Sequence, residues 1–295
     1  MKIFLIGSNG FLGKKLTGLP HEIFTTTHAA MDVCDASDVK HFFRRAAPEV
    51  AILAAAFTDV DGCEKDRRKA YDINVAGTKN IVEACVQHKT KLVFFSTDYV
   101  FDGEKGNYTE EEKSNPQSHY GKTKLWAEEA IKDSCVDFII ERVSVLYGYN
   151  DAHDKQTFEK WVTESLKAKK EIRVVSDQFS CPTLIDDIAR ATNVLLERGE
   201  SGVFHVVGSE CLSRYHFALN IADVFGFDKN LITPILTEEL AQPAPRPKNS
   251  CLSTEKIKKR GIEMSDTKTG LKTMKRCMDK TPLNIYPKDY NPEES

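Results

Sequence analysis

An apolar run, Lys2-Ile3-Phe4-Leu5-Ile6, passes directly into glycines at positions 7, 10 and 13, and helical spacing resumes there. A buried strand that turns through glycines into a helix puts backbone N–H groups and the positive helix end where a dinucleotide pyrophosphate sits. The glycine spacing is three and three rather than the better-known two and three, but tight turn, close phosphate approach and helix packing all remain available. An ordinary strand-to-helix turn is the competing reading; the position straight after the first strand favours the dinucleotide. Gly7, Gly10, Phe11, Leu12 and Gly13 are therefore read as cofactor-binding.

Strand-like apolar runs recur at 2–6, 22–26, 50–54, 91–95 and 137–141, with helical spacing over 64–87, 120–132 and 157–169. That alternation predicts βαβ units and a doubly wound, parallel α/β sheet of the Rossmann type, with helices on both faces. A dinucleotide-binding domain is expected over 1–150, with 182–207 returning to it as a further helix and strand. The pattern loosens after Tyr149, and Gln242-Pro243-Ala244-Pro245-Arg246-Pro247 reads as a stiff extended segment. A smaller C-terminal substrate-binding part is accordingly expected over 151–181 and 208–285, and a loose tail over 286–295.

With 41 basic and 44 acidic residues the formal charge is −3, which gives no electrostatic footprint for nucleic acid or a membrane surface. No apolar run is long enough to span a bilayer, and no charged-then-apolar leader is seen. A small-molecule partner and a cytoplasmic location are expected, with a homodimer as the candidate assembly. Eight cysteines, at 34, 63, 85, 135, 181, 211, 251 and 277, stand singly, without a Cys-x-x-Cys pair or a histidine at metal spacing. They are read as reduced thiols, and no metal site is predicted.

The chemistry-bearing residues lie further along. Ser96-Thr97 follows an apolar strand, at the carboxyl edge where such sheets bind ligands. Tyr120 and Lys124 stand four apart and share one helix face. In a carbonyl reduction Thr97 would hydrogen-bond the ketone oxygen and Tyr120 would give the proton. Lys124 would lower the phenol's pKa and hold the nicotinamide ribose. An exposed tyrosine and lysine on a solvated helix is the alternative. At the end of the second strand, where a carboxylate would bind a ribose 2′-hydroxyl, stands Thr25-Thr26-Thr27-His28. Nothing there repels a 2′-phosphate, so NADPH is expected, with NADH as the alternative. Asp32 and Val33 border the adenine in this reading, unless Asp32 only caps a turn. Ala54, Ala55 and Ala56 leave room for backbone to approach a ligand, and Thr58 and Asp61 reach cofactor or substrate; tight helix-to-sheet packing explains the alanines equally well.

These residues resemble the extended short-chain dehydrogenase/reductase superfamily and, within it, the dTDP-4-dehydrorhamnose reductases. The resemblance is carried by the glycine loop, Ala54–Asp61, Ser96-Thr97-Asp98-Tyr99-Val100-Phe101-Asp102-Gly103, Tyr120-Gly121-Lys122-Thr123-Lys124, Asp177–Thr183 and Arg246–Ser250. It implies a catalytic set of Thr97, Tyr120 and Lys124 that reduces the 4-keto group of a nucleotide-diphosphate 4-keto-6-deoxy sugar with NADPH. Asp98, Val100 and Phe101 would lie beside the sugar, Arg142-Val143-Ser144 would line the floor beyond the nicotinamide, and Phe158 and Arg246 would stand on the substrate side. Three positions depart from the pattern: Val145 replaces a tryptophan, Thr157 replaces an asparagine, and Lys14-Lys15 occupies the place of a glutamate tied to a magnesium-bridged dimer. The same strings are similar to the regulatory β subunit of methionine adenosyltransferase, a non-catalytic NADP-binding protein, and to nucleotide-sugar epimerases and dehydratases.

Overall fold

The computed structural model describes residues 1–150 and 156–280; the expected tail and the polar loop at 151–154 lie outside them. The chain begins β1 (Lys2–Ile6), α1 (Phe11–Leu16), β2 (Glu22–Thr26), α2 (Ala36–Ala46) and β3 (Val50–Leu53). It continues with α3 (Val60–Lys65), α4 (Arg67–Tyr71), a π-helical turn at Asp72–Ala76, α5 (Gly77–His88), β4 (Lys91–Thr97), α6 (His119–Lys132) and β5 (Phe138–Val143). Then follow β6 (Leu146–Tyr147), α7 (Phe158–Lys167), β7 (Ile172–Val175), β8 (Phe179–Ser180), β9 (Thr183–Leu184), α8 (Ile185–Glu197) and β10 (Gly202–His205). β11 (Leu212–Ser213), α9 (Arg214–Phe225), β12 (Ile232–Ile235), α10 (Glu255–Lys258) and α11 (Thr267–Lys280) complete it.

Six strands form one parallel sheet in the order β2-β1-β3-β4-β5-β10. The order reverses between β1 and β3, and a crevice opens at such a switch point outside the carboxyl ends of the strands. Successive side chains of a strand face opposite ways. Leu5, Ile52, Val93 and Ile139 accordingly pack with α1 and α8, while Phe4, Ala51, Phe94 and Ile140 pack with α2, α5 and α6. Burial on both faces explains the unbroken apolar runs. Each such large side chain contributes about 1.5–3 kcal/mol. A smaller core joins Val162 and Leu166 of α7, Phe217 and Ile221 of α9, and Leu271 of α11 to the parallel pair β7 and β12. No helix among the described residues is long and apolar enough to cross a membrane.

The single helix expected over 64–87 is broken twice. Asp66 leaves helical geometry (φ −125°) and accepts from the Lys69 N–H; the chain then widens into the π turn before α5. Asn74 in that turn is buried, and its amide accepts from the Phe57 N–H at 2.8 Å while donating to the Phe57 carbonyl and the Thr123 hydroxyl. A π turn re-aims one side chain without ending the helix, and it recurs at functional sites.

Two other expectations are corrected. Cys211 and Cys251 form a disulfide, with Cα atoms 5.6 Å apart, so the reading of eight reduced thiols fails at this pair. The two are 40 residues apart in sequence and meet because β8 pairs with β11 while Phe179 bridges to Asn249. Arg142 does not line a ligand floor. Strand alternation turns it toward α6, where its Nε and Nη2 donate to the two Glu128 carboxylate oxygens at 2.9 and 2.8 Å. Burial opposes the charge of Glu128, but the Arg142 hydrogen bonds and charge outweigh it and hold the carboxyl well below the usual range.

Arg142→Met would strand a buried carboxylate and should cost about 3–5 kcal/mol in urea unfolding at neutral pH. The Glu128→Gln/Arg142→Met double variant should recover much of that loss. Because the folded carboxyl is depressed, the pair's contribution is fully present above the ordinary glutamate range and is lost only as the pH falls below it.

Candidate active site

A cavity of about 850 Å³ opens at the carboxyl edge of β1, β3, β4 and β5. That volume lies within the range of small-molecule sites. On the β1 side it is lined by Asn9, Gly10, Phe11 and Leu12. Gly7, Gly13 and Ala55 shape this wall from beneath without lining it. A Cβ on Gly7, which has φ +86°, would lie 2.6 Å from the Ala55 nitrogen, and one on Gly13 would lie 2.1 Å from the Gly7 carbonyl oxygen. Loop, α1 and the end of β3 are thus packed closer than side chains allow, which is the cradle a pyrophosphate needs. The Gly7 and Ser8 N–H groups both donate to the Thr26 carbonyl at 3.0 Å, fixing the loop against the end of β2. With no carboxylate in Thr25–His28, these residues fit a dinucleotide carrying a 2′-phosphate.

Ala54, Ala56 and Thr58 line the cavity; Asp32 and Val33 do not. Asp32 is exposed and accepts the Cys34 N–H at 2.9 Å, the turn-capping alternative. Val33 is buried against the start of α5, where a Cβ on Gly77 would meet its Cγ2 at 2.7 Å.

Thr97, Tyr120 and Lys124 come together in the opposite wall. The Ser118 hydroxyl caps α6 by accepting the Gly121 N–H at 3.2 Å. A Cβ on Gly121 would lie 2.2 Å from the Tyr99 carbonyl oxygen, so α6 rests directly on the backbone that follows β4. The Tyr120 and Thr97 hydroxyls share a hydrogen bond. Thr97 also accepts the Tyr99 N–H at 3.2 Å and donates to Asp98 at 3.1 Å. Asp98 is buried at the cavity wall, and it accepts further from Ser144 at 2.8 Å and from Ser250. Burial raises its pKa, and the Ser250, Ser144 and Thr97 hydroxyls and the Arg214 charge hold it back. Ser144 therefore acts on Asp98 rather than on the cavity.

Lys124 is buried, with Nζ 3.9 Å from the centre of the Phe94 ring, and desolvation lowers its pKa to about 7 against the raising charge of Glu128. In the protein without a bound ligand, burial rather than Lys124 dominates the Tyr120 phenol. Burial, reinforced by the Asp98 charge, pushes Tyr120 up well above its usual value, so it stays a protonated donor.

Phe158 and Val143 line the cavity, as does Val145, whose φ of +42° puts a β-branched residue in the left-handed region. Val100 and Phe101 do not. Both are fully buried in a cluster with Cys181, Val207 and Leu252, and Phe101 stacks on Tyr108 at 4.3 Å. Their place beside the sugar is not realised, because the short helical turn after β4 directs them inward. Arg246 pairs with Asp61 at 2.7 Å and lines a separate depression with Asp177 and Phe179. Thr157 caps α7 by accepting the Lys160 N–H at 3.1 Å. Asn74, Tyr99, Ser250 and Arg214 were missed from sequence as site residues, although Tyr99 and Ser250 lie within the quoted strings.

A glycine-cradled switch-point cleft with a threonine, tyrosine and lysine at its edge defines a dinucleotide-dependent carbonyl reductase site. The chain belongs to the RmlD substrate binding domain family, whose model matches residues 1–279. Among its relatives, the dTDP-4-dehydrorhamnose reductase of Aggregatibacter actinomycetemcomitans is 32% identical over 293 residues, spanning 93% of this chain and 98% of that one. The crystal structure of dTDP-4-dehydrorhamnose reductase from Bacillus anthracis in complex with NADP superposes with a TM-score of 0.89 at 32% identity, covering 94% of this chain and 99% of that chain. The mouse methionine adenosyltransferase 2 subunit beta is 29% identical over 248 residues, 82% of this chain and 74% of that one.

Lys124 gives this site a pH signature. An anionic dinucleotide in the cavity favours the ammonium and raises a pKa that starts near 7. Below that pH the lysine is already charged; above it, NADPH binding must take up a proton, and affinity should weaken as pH rises. Calorimetry at pH about 8 in buffers of different ionisation enthalpy should register the uptake. Lys124→Met should abolish it.

Proposed function

We propose that this protein is an NADPH-dependent reductase of the 4-keto group of a nucleotide-diphosphate 4-keto-6-deoxy sugar, with the activity of a dTDP-4-dehydrorhamnose reductase in dTDP-L-rhamnose and polysaccharide synthesis. The observation that carries the reading is the convergence of Tyr120, Thr97 and Lys124 on one cavity whose other wall is the glycine cradle. When bound, NADPH supplies the hydride. Thr97 and the Tyr120 hydroxyl hold the ketone oxygen between them. As negative charge develops on that oxygen Tyr120 gives up its proton, and the resulting phenolate is stabilised by Lys124 in its ammonium form and reprotonated from solvent. The raised pKa of Tyr120 suits this direction, since reduction needs a protonated donor.

The division of labour in the fold follows the same proposal: 1–150 with 182–207 serves the cofactor, and 151–181 with 208–285 serves the sugar nucleotide. A cytoplasmic location and a homodimer belong to it as well. The similarity to the mouse β subunit supports a second reading, a cofactor-binding regulator that has retained the catalytic set.

Purified protein should oxidise NADPH, followed by the absorbance of the reduced nicotinamide, only when a 4-keto-6-deoxy sugar nucleotide is present; a panel carrying dTDP, UDP and GDP separates the nucleotides. Tight cofactor binding with no turnover on any of them would leave the regulator. Tyr120→Phe should abolish turnover while NADPH affinity stays near wild type. Thr97→Ala should slow the chemical step by about 10²–10³-fold, the usual loss of one polarising donor.

A further inference from the structure

The Cys211–Cys251 disulfide lies outside the catalytic cavity, in the wall of a second one of about 330 Å³ that also takes in Lys105, Cys181 and Lys258. Its two sulfurs are not equivalent. Cys211 is exposed, just before β11, whereas Cys251 is buried among Val100, Phe101, Tyr108 and Leu252. Exchange of a disulfide needs a sulfur that an incoming thiolate can reach and a leaving sulfur that can carry charge. Cys211 supplies the first. Cys251 supplies the second, because it lines the same cavity as Lys258 and as Lys105, which Glu112 steadies, and nearby cations favour a thiolate. Cys181 is not the attacking group: burial pushes its thiol up to about 12, so it stays protonated and the attack comes from outside.

Opening this bond leaves the fold its connections. Asn249 donates its N–H to the Gly103 carbonyl at 2.9 Å, Ser250 donates to the Phe179 carbonyl at 3.0 Å, and Cys251 accepts the Tyr108 N–H at 3.0 Å. On the other side β11 pairs with β8, Leu212 opposite Ser180 and Ser213 opposite Phe179. The two segments are thus seated on one short strand without help from the sulfurs, and the disulfide is a cross-link between parts already placed. What it adds is fixity close to the chemistry. Ser250, the neighbour of Cys251, donates its hydroxyl to Asp98 in the catalytic wall. Ser213, two residues after Cys211, caps α9 by accepting the His216 N–H at 3.2 Å, and Arg214 after it lines the catalytic cavity. In the cytoplasmic location proposed above thiols are the resting state, and a disulfide that forms there is usually transient or sensing.

We propose that Cys211–Cys251 is a modification site for small thiols of the glutathione class, read out at the catalytic wall through Ser250 and Asp98. The incoming thiolate sulfur bonds to Cys211 Sγ, the Cys211–Cys251 bond breaks, and its electron pair goes to Cys251 Sγ, which takes up the proton the small thiol released. One thiol and one disulfide stand on each side of this step; the product is a mixed disulfide on Cys211 and a free thiol at Cys251. A second small thiol attacks the mixed disulfide, leaving Cys211 reduced and releasing the small-molecule disulfide. Freed from Cys211, the Ser250 segment holds Asp98 less firmly, and Thr97, which donates to the same carboxylate, loses orientation. The thiol chemistry stands apart from the reductase reading; its effect on turnover rests on that reading.

The test is mass analysis of peptides from the native protein, incubated without oxygen in reduced glutathione at neutral pH and then quenched with an alkylating agent in denaturant. Cys211 should carry glutathione or alkyl label and Cys251 alkyl label, while neither takes label in the untreated protein. Amide hydrogen exchange should quicken in the peptides holding Asp98 and Ser250. Turnover of the sugar nucleotide should fall roughly threefold to tenfold, the range of one weakened hydrogen bond, with NADPH affinity unchanged. Oxidised glutathione should restore the wild type, whereas Cys211→Ser/Cys251→Ser should show the lowered turnover throughout and answer to neither treatment. Reaction of the disulfide only after unfolding would overturn the site. An opened protein with unchanged hydrogen exchange at Asp98 and unchanged turnover would overturn the coupling, and with it the proposal. Absence of turnover on every sugar nucleotide would overturn the reductase, and hydrogen exchange at Asp98 would then decide the proposal alone.

Discussion

The site depends on backbone meeting backbone without side chains between. At Gly121, α6 lies on the Tyr99 carbonyl, where a Cβ would come within 2.2 Å of the oxygen. That approach sets the depth of the helix against β4. Because Tyr120 and Lys124 flank it by one residue and three, the same depth decides whether the phenol reaches Thr97 and the ammonium reaches the Phe94 ring. The Thr123 hydroxyl, tied to Asn74, fixes the rotation of the helix about its axis. Gly7 against Ala55 does the equivalent work on the other wall. The two walls are therefore referenced to the carboxyl ends of neighbouring strands, which is how a rigid sheet holds mobile chemistry in register.

Burial at this edge shapes the electrostatics in one direction, toward neutral groups. Tyr120 is pushed up, Lys124 is drawn down to about 7, and Asp98 is raised despite three hydroxyl donors. Glu128 and Arg142 are buried as a charged pair that satisfies itself bidentately one helical turn beyond Lys124. Glu128 is close enough to favour the lysine's ammonium, so an ion pair that is costly to bury also favours the charged form of the lysine at the cavity wall. An incoming anionic ligand completes the charge balance.

The sheet was legible because strands buried on both faces must be apolar throughout: the run at 2–6 coincides with β1, and those at 50–54 and 91–95 fall on β3 and β4, while 22–26 coincides with the half-exposed edge strand β2. What was not legible depends on partners remote in sequence. The breaks in 64–87 reflect Asn74 bonding Phe57 and Thr123, and no local propensity signals that. Two lone cysteines become a disulfide only when short strand pairings bring their loops together. In the string that follows β4, Thr97 and Asp98 face the cavity while Val100 and Phe101 turn into the core, so a motif read as one unit divides by the direction of its side chains.

Asp98 explains why the smaller part of the fold cannot be treated as a separate attachment. Its carboxyl collects hydroxyls from the end of β4, from the turn after β5 and, through Ser250, from the segment that follows the proline-rich stretch. Next to Ser250, Cys251 is bonded to Cys211, which lies three residues before Arg214. The chain carrying a hydroxyl to Asp98 and the chain carrying the Arg214 guanidinium at the cavity wall are thus joined covalently. Thr97 and Tyr120 are set by the sheet and α6, and Arg214 is set by α9, so the distance between proton donor and guanidinium belongs to neither part alone. Asp98 at the cavity wall and the Cys211–Cys251 disulfide are both connections between the two parts, so the geometry of that wall depends on each.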